Sequence, residues 1–259
     1  MIQRVIAPNP GPMTLTGTNT YLVGDGAGSL AAIDPGPDEP RHLEAILSAA
    51  APLGTLTTVL VTHRHLDHLP GALPLCRATG ATLVGHADLP GVQRPVADGE
   101  TAFGSLRALA TPGHTRESLC FWDPADGALF TGDLVAGTGT VVVDDQPGAL
   151  ADYVSSLERL VALEPRTIYP GHGPIVDDAI AKLTEYLEHR RQRLQQVVDA
   201  LASRGPSTVD ELVSAIYTDV PPGLAPMAAR NVRANLDKLA TDDQVVAAAG
   251  GRWQLTLQA

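Results

Sequence analysis

The sequence predicts an α/β fold, and three observations lead to that prediction. Short apolar runs bounded by glycine, proline or asparagine are typical of strands. Longer segments with apolar residues at helical spacing lie between these runs. Histidine and aspartate residues recur directly after the apolar runs. The length of 259 residues allows one large domain, or a domain of about 170–200 residues plus a small one.

The first part of the chain predicts a hairpin, a helix and a buried strand. Strands are expected at residues 4–7, 18–23 and 30–33, and Gly24-Asp25-Gly26 is typical of a hairpin turn. Residues 40–51 predict a helix that turns its leucine and isoleucine side chains inward. The apolar run at 58–61 then predicts a buried strand.

The middle of the chain continues the alternation of strands and helices. A short helix is expected at residues 69–79, and strands at 81–84 and 106–110. Two further strands, 119–122 and 128–130, predict a hairpin across Asp126-Gly127. The amphipathic segment 147–163 predicts a helix, and residues 167–169 a last strand.

The most informative segment follows the strand at 58–61. His63, His65, Asp67 and His68 lie within six residues, and Pro70 and Gly71 disfavour an immediate helix. The four side chains are therefore expected on a loop at a strand end, where functional groups commonly lie. Imidazole nitrogen and carboxylate oxygen are ligands that suit zinc. A solvated loop without function is a poor explanation for four such residues at this spacing.

Further ligand-type residues occupy other strand ends. His114, Asp133 and His172 each follow a predicted strand and stand next to a glycine, which lets the backbone turn sharply beside an ion. The remaining histidines do not follow strands in this way, and we interpret them as surface or packing residues. They are His42, His86 and His189.

The order His-x-His-x-Asp-His, Gly-His, Gly-Asp, Gly-His resembles the metallo-β-lactamase superfamily. The resemblance implies an αββα sandwich over residues 1–176 with two zinc ions at one edge, Mn²⁺ or Fe being possible replacements. Asp67 and Asp133 are the implied catalytic residues, and Asp34 is expected to support the site rather than to bind metal. The implied ligands are His63, His65 and His114 for the first ion, Asp67, His68 and His172 for the second, and Asp133 for both.

This ligand set implies hydrolysis by water. Two zinc ions about 3.5–4 Å apart can share a hydroxide, because zinc lowers the pKa of bound water to about 7. The hydroxide would attack a carbonyl or phosphorus centre while the ions stabilise the developing negative charge. A binding protein whose metal is only structural is an alternative to an enzyme. Complete ligation of both ions without cysteine disfavours this alternative.

Residues 177–259 predict a small second domain. Helices are expected at 178–203 and 227–239, another begins with Ser207 as its N-cap, and strands 245–248 and 253–257 form a final hairpin. Three helices and a two-stranded wing resemble a winged-helix module. Such a module binds nucleic acid or only packs, and the nine Lys and Arg against eleven Asp and Glu in this part leave both alternatives open.

Charge and cysteine content restrict the remaining classes. The net charge of −11 removes the simple argument for nucleic acid from a basic protein. Cys76 and Cys120 suggest neither a disulfide framework nor a cysteine zinc site. The sequence contains no apolar run of about 18 residues and no signal core behind the first residues, so a cytoplasmic protein without a membrane partner is expected.

Segments near both ends narrow the resemblance to the family of β-lactamase-like protein 2. They are Asn9-Pro10-Gly11-Pro12, residues 17–23, residues 168–174 and the winged-helix tail. That family implies a zinc-dependent endoribonuclease on single-stranded RNA. For such a substrate, Arg190, Arg191, Arg193, Arg230 and Arg233 are candidate phosphate contacts, although a solvated helix face is the simpler explanation for each of the first three alone. The alternative substrate is a small thioester, ester or lactone, as for glyoxalase II. A β-lactamase is less favoured, and the oligomeric state is not predicted.

Overall fold

The computed structural model describes residues 1–144, 146–218 and 225–256. In its larger part, one β-sheet packs face to face on another. The first sheet has the strand order β1-β2-β3-β4-β5-β6, and β3, β4 and β5 run parallel. Its strands are β1 (Ile2–Ile6), β2 (Asn19–Gly24), β3 (Ser29–Ile33), β4 (Thr55–Leu60), β5 (Thr82–Gly85) and β6 (Arg94–Pro95).

The second sheet has the order β11-β10-β9-β8-β7, with β10 and β11 parallel. Its strands are β7 (Thr101–Phe103), β8 (Leu106–Ala110), β9 (Leu119–Asp123), β10 (Ala128–Gly132) and β11 (Thr167–Pro170). The predicted hairpin across residues 126–127 is confirmed, because β9 and β10 pair antiparallel. The short strands β6 and β7 were not predicted, since neither has an apolar run of its own.

Alternation along the strands decides which core each side chain enters. In β3, Ile33 lies between the sheets and Ala32 faces the helices outside. In β9, Phe121 lies between the sheets and Trp122 packs outward. The outer helices are α1 (Pro40–Ala50) and α2 (Ala72–Thr79) on the first sheet, and α3 (Ala149–Ala162) and α4 (Ala179–Arg204) on the second. The layers therefore follow the order helix, sheet, sheet, helix, which confirms the predicted αββα fold.

The helix predicted from residue 69 begins three residues later. Gly71 donates its backbone N–H to the Gly36 carbonyl over 2.9 Å, and a Cβ on Gly71 would lie 2.5 Å from the Pro35 oxygen. The chain between the ligand loop and α2 is thus held against the turn after β3. This close approach keeps residues 69–71 out of the helix.

The C-terminal part forms a winged helix. Its elements are α5 (Val209–Ile216), α6 (Ala225–Thr241), β12 (Val245–Ala248) and β13 (Arg252–Leu255). Leu212, Leu236 and Val245 form its core with Val197 of α4, whereas Leu183 of α4 belongs to the sandwich core. Side chains of α4 thus belong to both cores. The predicted domain boundary between residues 176 and 177 stays a prediction. Within the described ranges, no helix has the length and apolar character needed to cross a membrane.

The predicted N-cap at Ser207 is wrong by one residue. Thr208 caps α5: its hydroxyl accepts from the Glu211 backbone N–H, and the Glu211 carboxylate accepts from the Thr208 N–H. Ser207 instead exchanges backbone hydrogen bonds of 2.9 and 2.8 Å with Trp253. This pairing fixes Ser207 beside the wing, so the helix begins after it. The last predicted strand starts at Arg252, and Leu257 lies outside the described residues.

Candidate metal centre

The strand ends bring all seven predicted ligands to one edge of the sandwich. The loop after β4 supplies His63, His65, Asp67 and His68, and the segments after β8, β10 and β11 supply the others. They form two groups, in each of which the ligand atoms lie within 4.8 Å of one another. The groups are His63, His65, His114 and Asp133, and Asp67, His68, Asp133 and His172.

In the first group, three imidazole nitrogens converge. His65 Nδ1 lies 3.0 Å from both His63 Nε2 and His114 Nε2. Asp133 Oδ2 lies 3.7 Å from His114 Nε2 and 4.0 Å from His63 Nε2. Nitrogens and one carboxylate oxygen at these separations surround a point that suits a single ion.

In the second group, nitrogens and oxygens converge in the same manner. His68 Nε2 lies 3.2 Å from His172 Nε2, which lies 3.1 Å from Asp67 Oδ2. Asp133 Oδ1 lies 3.3 Å from both of these nitrogens. The two oxygens of Asp133 therefore face different groups, as expected for a residue shared by two ions.

Glycine at position 171 makes this convergence possible. A Cβ on Gly171 would lie 2.7 Å from His68 Cε1 and 2.8 Å from Asp133 Oδ1. Gly132, with φ of 49°, brings the chain before Asp133 equally close to Thr62, where a Cβ would lie 2.4 Å from the hydroxyl oxygen. A larger residue at position 171 would displace the ligands His68 and Asp133, and one at position 132 would displace Thr62, which hydrogen-bonds to His63.

Hydrogen bonds behind the site determine the histidine tautomers. Asp34 Oδ2 accepts from His68 Nδ1 over 2.8 Å and from the Thr62 hydroxyl over 2.7 Å. Since that hydroxyl has given away its proton, it can only accept from His63 Nδ1, 2.9 Å away. His114 Nδ1 donates to the Val142 carbonyl over 2.7 Å. Neutral His63, His68 and His114 therefore direct a lone pair toward the cluster.

This arrangement fits metal ions. The inner nitrogens lie 3.0 to 3.2 Å apart, and when all the rings are neutral and direct their lone pairs inward, a cation between them removes the repulsion. Asp133 Oδ1 is buried and accepts no hydrogen bond from the described residues. The donors are nitrogen and oxygen without sulfur, which suits zinc, iron or manganese.

The charges in the site favour cation binding as well. Burial and the neighbouring His68 lower the pKa of His63 well below its ordinary value, so this ring is neutral. Burial also opposes a charge on His172, but the carboxylates of Asp133 and Asp67 beside its Nε2 outweigh burial and raise that pKa to about 9. Burial raises the pKa of Asp133, yet His68 and His172 hold it well below its usual range. The carboxylates of Asp67 and Asp133 therefore stabilise a positive charge near the histidine nitrogens that face them. Either a proton or a metal ion can provide that charge.

The cluster opens into a cleft of about 540 Å³. The predicted ligands form part of its lining, and apolar side chains that no sequence motif indicates form much of the rest. The cleft is lined by Met13, Arg64, His65, Asp67, His114, Thr115, Asp133, Val142, Val143, Asp144, Pro226, Met227 and Arg230. Met13 near the N-terminus, Val142 in the middle of the chain and Met227 of the winged helix meet in this cleft. Their proximity follows from the tertiary structure and from no local sequence pattern.

Most of the arginines that the sequence suggests for RNA are engaged elsewhere. Arg190 is buried, stacks on Tyr153 at 4.8 Å and donates to the Val141 carbonyl over 2.7 Å, so its prediction as a phosphate contact is wrong. Arg191 lies 3.7 Å from the Glu158 carboxylate. Arg230 lines the cleft, whereas Arg193 stacks on Tyr217 at 4.7 Å and Arg233 lies on another surface of α6.

The histidines interpreted as surface or packing residues stay outside both groups. His42 is buried under the site, where its Nε2 lies 2.8 Å from the Thr20 hydroxyl. That hydroxyl donates to the Asp34 carbonyl, so His42 packs behind Asp34 without touching a predicted ligand. His86 and His189 are partly exposed.

Comparison with known proteins agrees with this architecture. The sequence profile of the metallo-beta-lactamase superfamily matches residues 13–98 and 88–172, and that of the beta-lactamase associated winged helix domain matches residues 208–253. A beta-lactamase-like protein 2 homolog from Caenorhabditis elegans is 34% identical over 260 residues, which cover 94% of this chain and 85% of the relative. An atrochrysone carboxyl ACP thioesterase from Aspergillus fumigatus is 35% identical over 266 residues, covering 94% and 82%.

A solved structure shares the fold over nearly the whole chain. The crystal structure of a beta-lactamase domain protein from Burkholderia ambifaria matches with a TM-score of 0.84 at 22% identity, covering 98% of this chain and 91% of that one. Sandwich and winged helix are thus arranged alike in the two proteins. Together with the sequence matches, this leads to one conclusion: the chain belongs to the metallo-beta-lactamase superfamily of hydrolases and resembles β-lactamase-like protein 2.

Proposed function

We propose that this protein hydrolyses an acyl thioester or a related carbonyl ester with two divalent metal ions, zinc by preference. The observation that carries the proposal is the pair of ligand groups that share Asp133 and open into a largely apolar cleft. The first ion would be held by His63, His65 and His114, the second by Asp67, His68 and His172, and Asp133 would contact both.

Bound there, the ions would supply a water acidic enough to act as hydroxide near neutral pH, and positive charge for a developing oxyanion. The protein contributes the rest. Asp34, Thr62 and the Val142 carbonyl hold the histidine tautomers. Burial raises the pKa of Asp67, but the hydrogen bond to His172 and nearby charges lower it overall, so this carboxylate is ionised. It can therefore accept a hydrogen bond from the attacking water at the cleft.

The cleft offers no activated side-chain nucleophile among its described lining residues. Thr115 carries the hydroxyl of that lining, and this hydroxyl is buried and 2.7 Å from the Ser118 hydroxyl. Neither a serine nor a cysteine is among the described residues of the lining. Attack by water is therefore the step that the site supports, without a covalent intermediate on the protein.

The walls favour a substrate with an apolar part. Met13, Val142, Val143 and Met227 line the cleft, and flexible thioethers adapt well to irregular apolar groups. Single-stranded nucleic acid sites use aromatic stacking platforms in a basic groove. Apart from the imidazoles, the described lining contains no aromatic side chain, and it includes three aspartates. The name of the thioesterase from Aspergillus fumigatus agrees with a thioester substrate.

Hydrolysis of single-stranded RNA is the second candidate. The specific observation in its favour is Arg230, a residue of the winged helix that lines the cleft beside the ligand groups. An arginine there could bind a phosphate near the reacting bond. The cleft walls and the net charge of −11 rank this candidate below the thioester.

One comparison tests both substrate classes. Chelator-treated protein is reloaded with Zn²⁺, Mn²⁺ or Fe²⁺ and assayed for thiol release from a panel of acyl thioesters and for cleavage of a 5′-labelled RNA oligomer. We expect metal-dependent thiol release, and the chelator-treated protein is the control. RNA cleavage without thiol release would reverse the ranking, and the absence of both activities with every metal would reject the proposal.

A further inference from the structure

We propose that the winged helix completes the substrate site and that Arg230 determines specificity by binding an anionic group, carboxylate or phosphate, of the thioester substrate. This inference rests on the proposed function. It assigns the C-terminal part a role in substrate selection and names a residue that separates charged from neutral thioesters.

One face of α6 forms a wall of the metal cleft. Pro226, Met227 and Arg230 line the same cleft as His65 and Asp133. Residues three and four apart lie on one side of a helix, so these side chains form a continuous strip. Pro226 in the first helical turn loses no intrahelical hydrogen bond, which lets the helix begin directly at the cleft.

The opposite face of α6 fixes this wall in place. Val232, Leu236 and Leu239 are buried in the winged-helix core, so the helix cannot rotate without exposing them. Asp237 also accepts a hydrogen bond from the Gly148 backbone N–H over 2.7 Å, at the start of α3. The wall is thus attached both to its own domain and to the sandwich.

An arginine beside the metal centre offers hydrogen-bond donors to an anionic group of the substrate. Asp67 and Asp133 belong to the ligand groups, so bound divalent ions would compensate their negative charge. Arg64, from the loop after β4, pairs with Glu117, whose buried carboxylate lies 2.6 Å from the guanidinium. Arg230 brings an exposed guanidinium from the winged helix to the same cleft, and its planar donors suit carboxylate and phosphate oxygens.

The same placement argues against duplex nucleic acid as the partner of α6. In a helix-turn-helix motif, the N-terminal residues of the second helix contact the base edges, and α6 is that second helix after α5. Here those residues, including Met227, line the metal cleft instead. A duplex could not use them without leaving the cleft wall incomplete. The position of α6 therefore favours a small substrate at this helix end.

The test uses two thioesters of one acyl group: a neutral N-acetylcysteamine thioester and an anionic 4′-phosphopantetheine thioester. They are assayed with the metal-loaded parent protein, Arg230→Gln and the control Arg233→Gln, an exposed arginine of the same helix away from the metal cleft. Arg230→Gln should raise KM for the anionic thioester about tenfold with kcat kept, because one charge-assisted hydrogen bond is lost. Every other combination should change by less than about twofold.

Binding of the matching amide analogues, measured by calorimetry, provides a readout without turnover. Arg230→Gln should weaken binding of the anionic analogue alone, and Arg230→Lys should recover part of the loss because it keeps the charge. Equal effects of Arg230→Gln on both thioesters, or the same effect of Arg233→Gln, would overturn the inference and leave the proposed function standing. Failure of the parent to hydrolyse either thioester would overturn the proposed function itself. An RNA affinity that depends on Arg230 would then identify nucleic acid as the occupant.

Discussion

The carboxylate of Asp34 lies 2.8 Å from Nδ1 of His68 and accepts its hydrogen bond. The same carboxylate reaches His63 through the Thr62 hydroxyl. One acidic residue behind the site therefore orients a histidine from each ligand group. The backbone of Asp34 is left-handed, with φ of 50°, which asparagine and aspartate tolerate better than other side chains.

Asp34→Asn should weaken metal binding while the backbone keeps its conformation. The new amide can donate to His68 Nδ1, which would leave the inner nitrogen protonated and unable to bind an ion. We expect the affinity for zinc to fall about 10–100-fold, measured by competition with a chromogenic chelator. Asp38→Asn, an exposed position nearby, is the control. Equal affinities of both variants would show that Asp34 does not determine the tautomers.

Asp133→Asn should change the metal content. The two carboxylate oxygens face different ligand groups, so the loss of charge weakens both. We expect about two zinc ions per chain in the parent and about one or none in the variant. Elemental analysis after dialysis measures this, and circular dichroism checks the fold. Asp126→Asn in the exposed β9–β10 turn should bind as the parent does. A variant that retains both ions would remove Asp133 as the shared ligand.

His42 should make the protein sensitive to acid. Burial lowers its pKa to about 4, below the ordinary value of about 6.5. The unfolded chain therefore binds the proton first, so the stabilisation is complete above about pH 6.5 and declines as the pH falls toward 4. This group should lower the free energy of unfolding by about 1.4 kcal/mol per pH unit in that window.

Urea unfolding of chelator-treated protein across this pH range measures the effect. His42→Gln should flatten the decline, because glutamine can donate to the Thr20 hydroxyl without titrating. The decline should not vanish, since burial and nearby arginines also lower the pKa of His189 to about 4. His86→Gln, at a partly exposed histidine, is the control. An unchanged slope in His42→Gln would contradict the prediction.

Arg190→Met should reduce stability and leave any RNA affinity unchanged. The guanidinium packs on Tyr153 and donates to the Val141 carbonyl, next to the cleft residues Val142 and Val143. Removing the donor leaves a partly buried carbonyl without this partner and removes the packing on Tyr153, and we expect a loss of about 2 kcal/mol in urea unfolding. Arg191→Met, at an exposed ion pair, should cost less than about 0.5 kcal/mol. Equal stability of the two variants would show that Arg190 is not structural.

The ligand residues and the fold class could be predicted from the sequence because their signals are local. An apolar run followed within a few residues by histidine or aspartate predicts a strand end with a ligand, as at His63, His114 and Asp133. Parallel neighbouring strands then bring such ends to one edge. The resemblance to the metallo-β-lactamase superfamily rests on the same residues, so it was available before the structure.

Contacts between distant segments were decided by tertiary packing. Arg190 occupies a helix surface in the sequence pattern, but the contact of α4 with α3 buries it against Tyr153. Ser207 has the side chain of an N-cap, but its backbone pairs with Trp253, so Thr208 takes that role. Met13 and Met227 line one cleft because α6 packs against the sandwich. Periodicity within a segment describes one face of that segment, whereas the neighbour of that face depends on how separate elements pack.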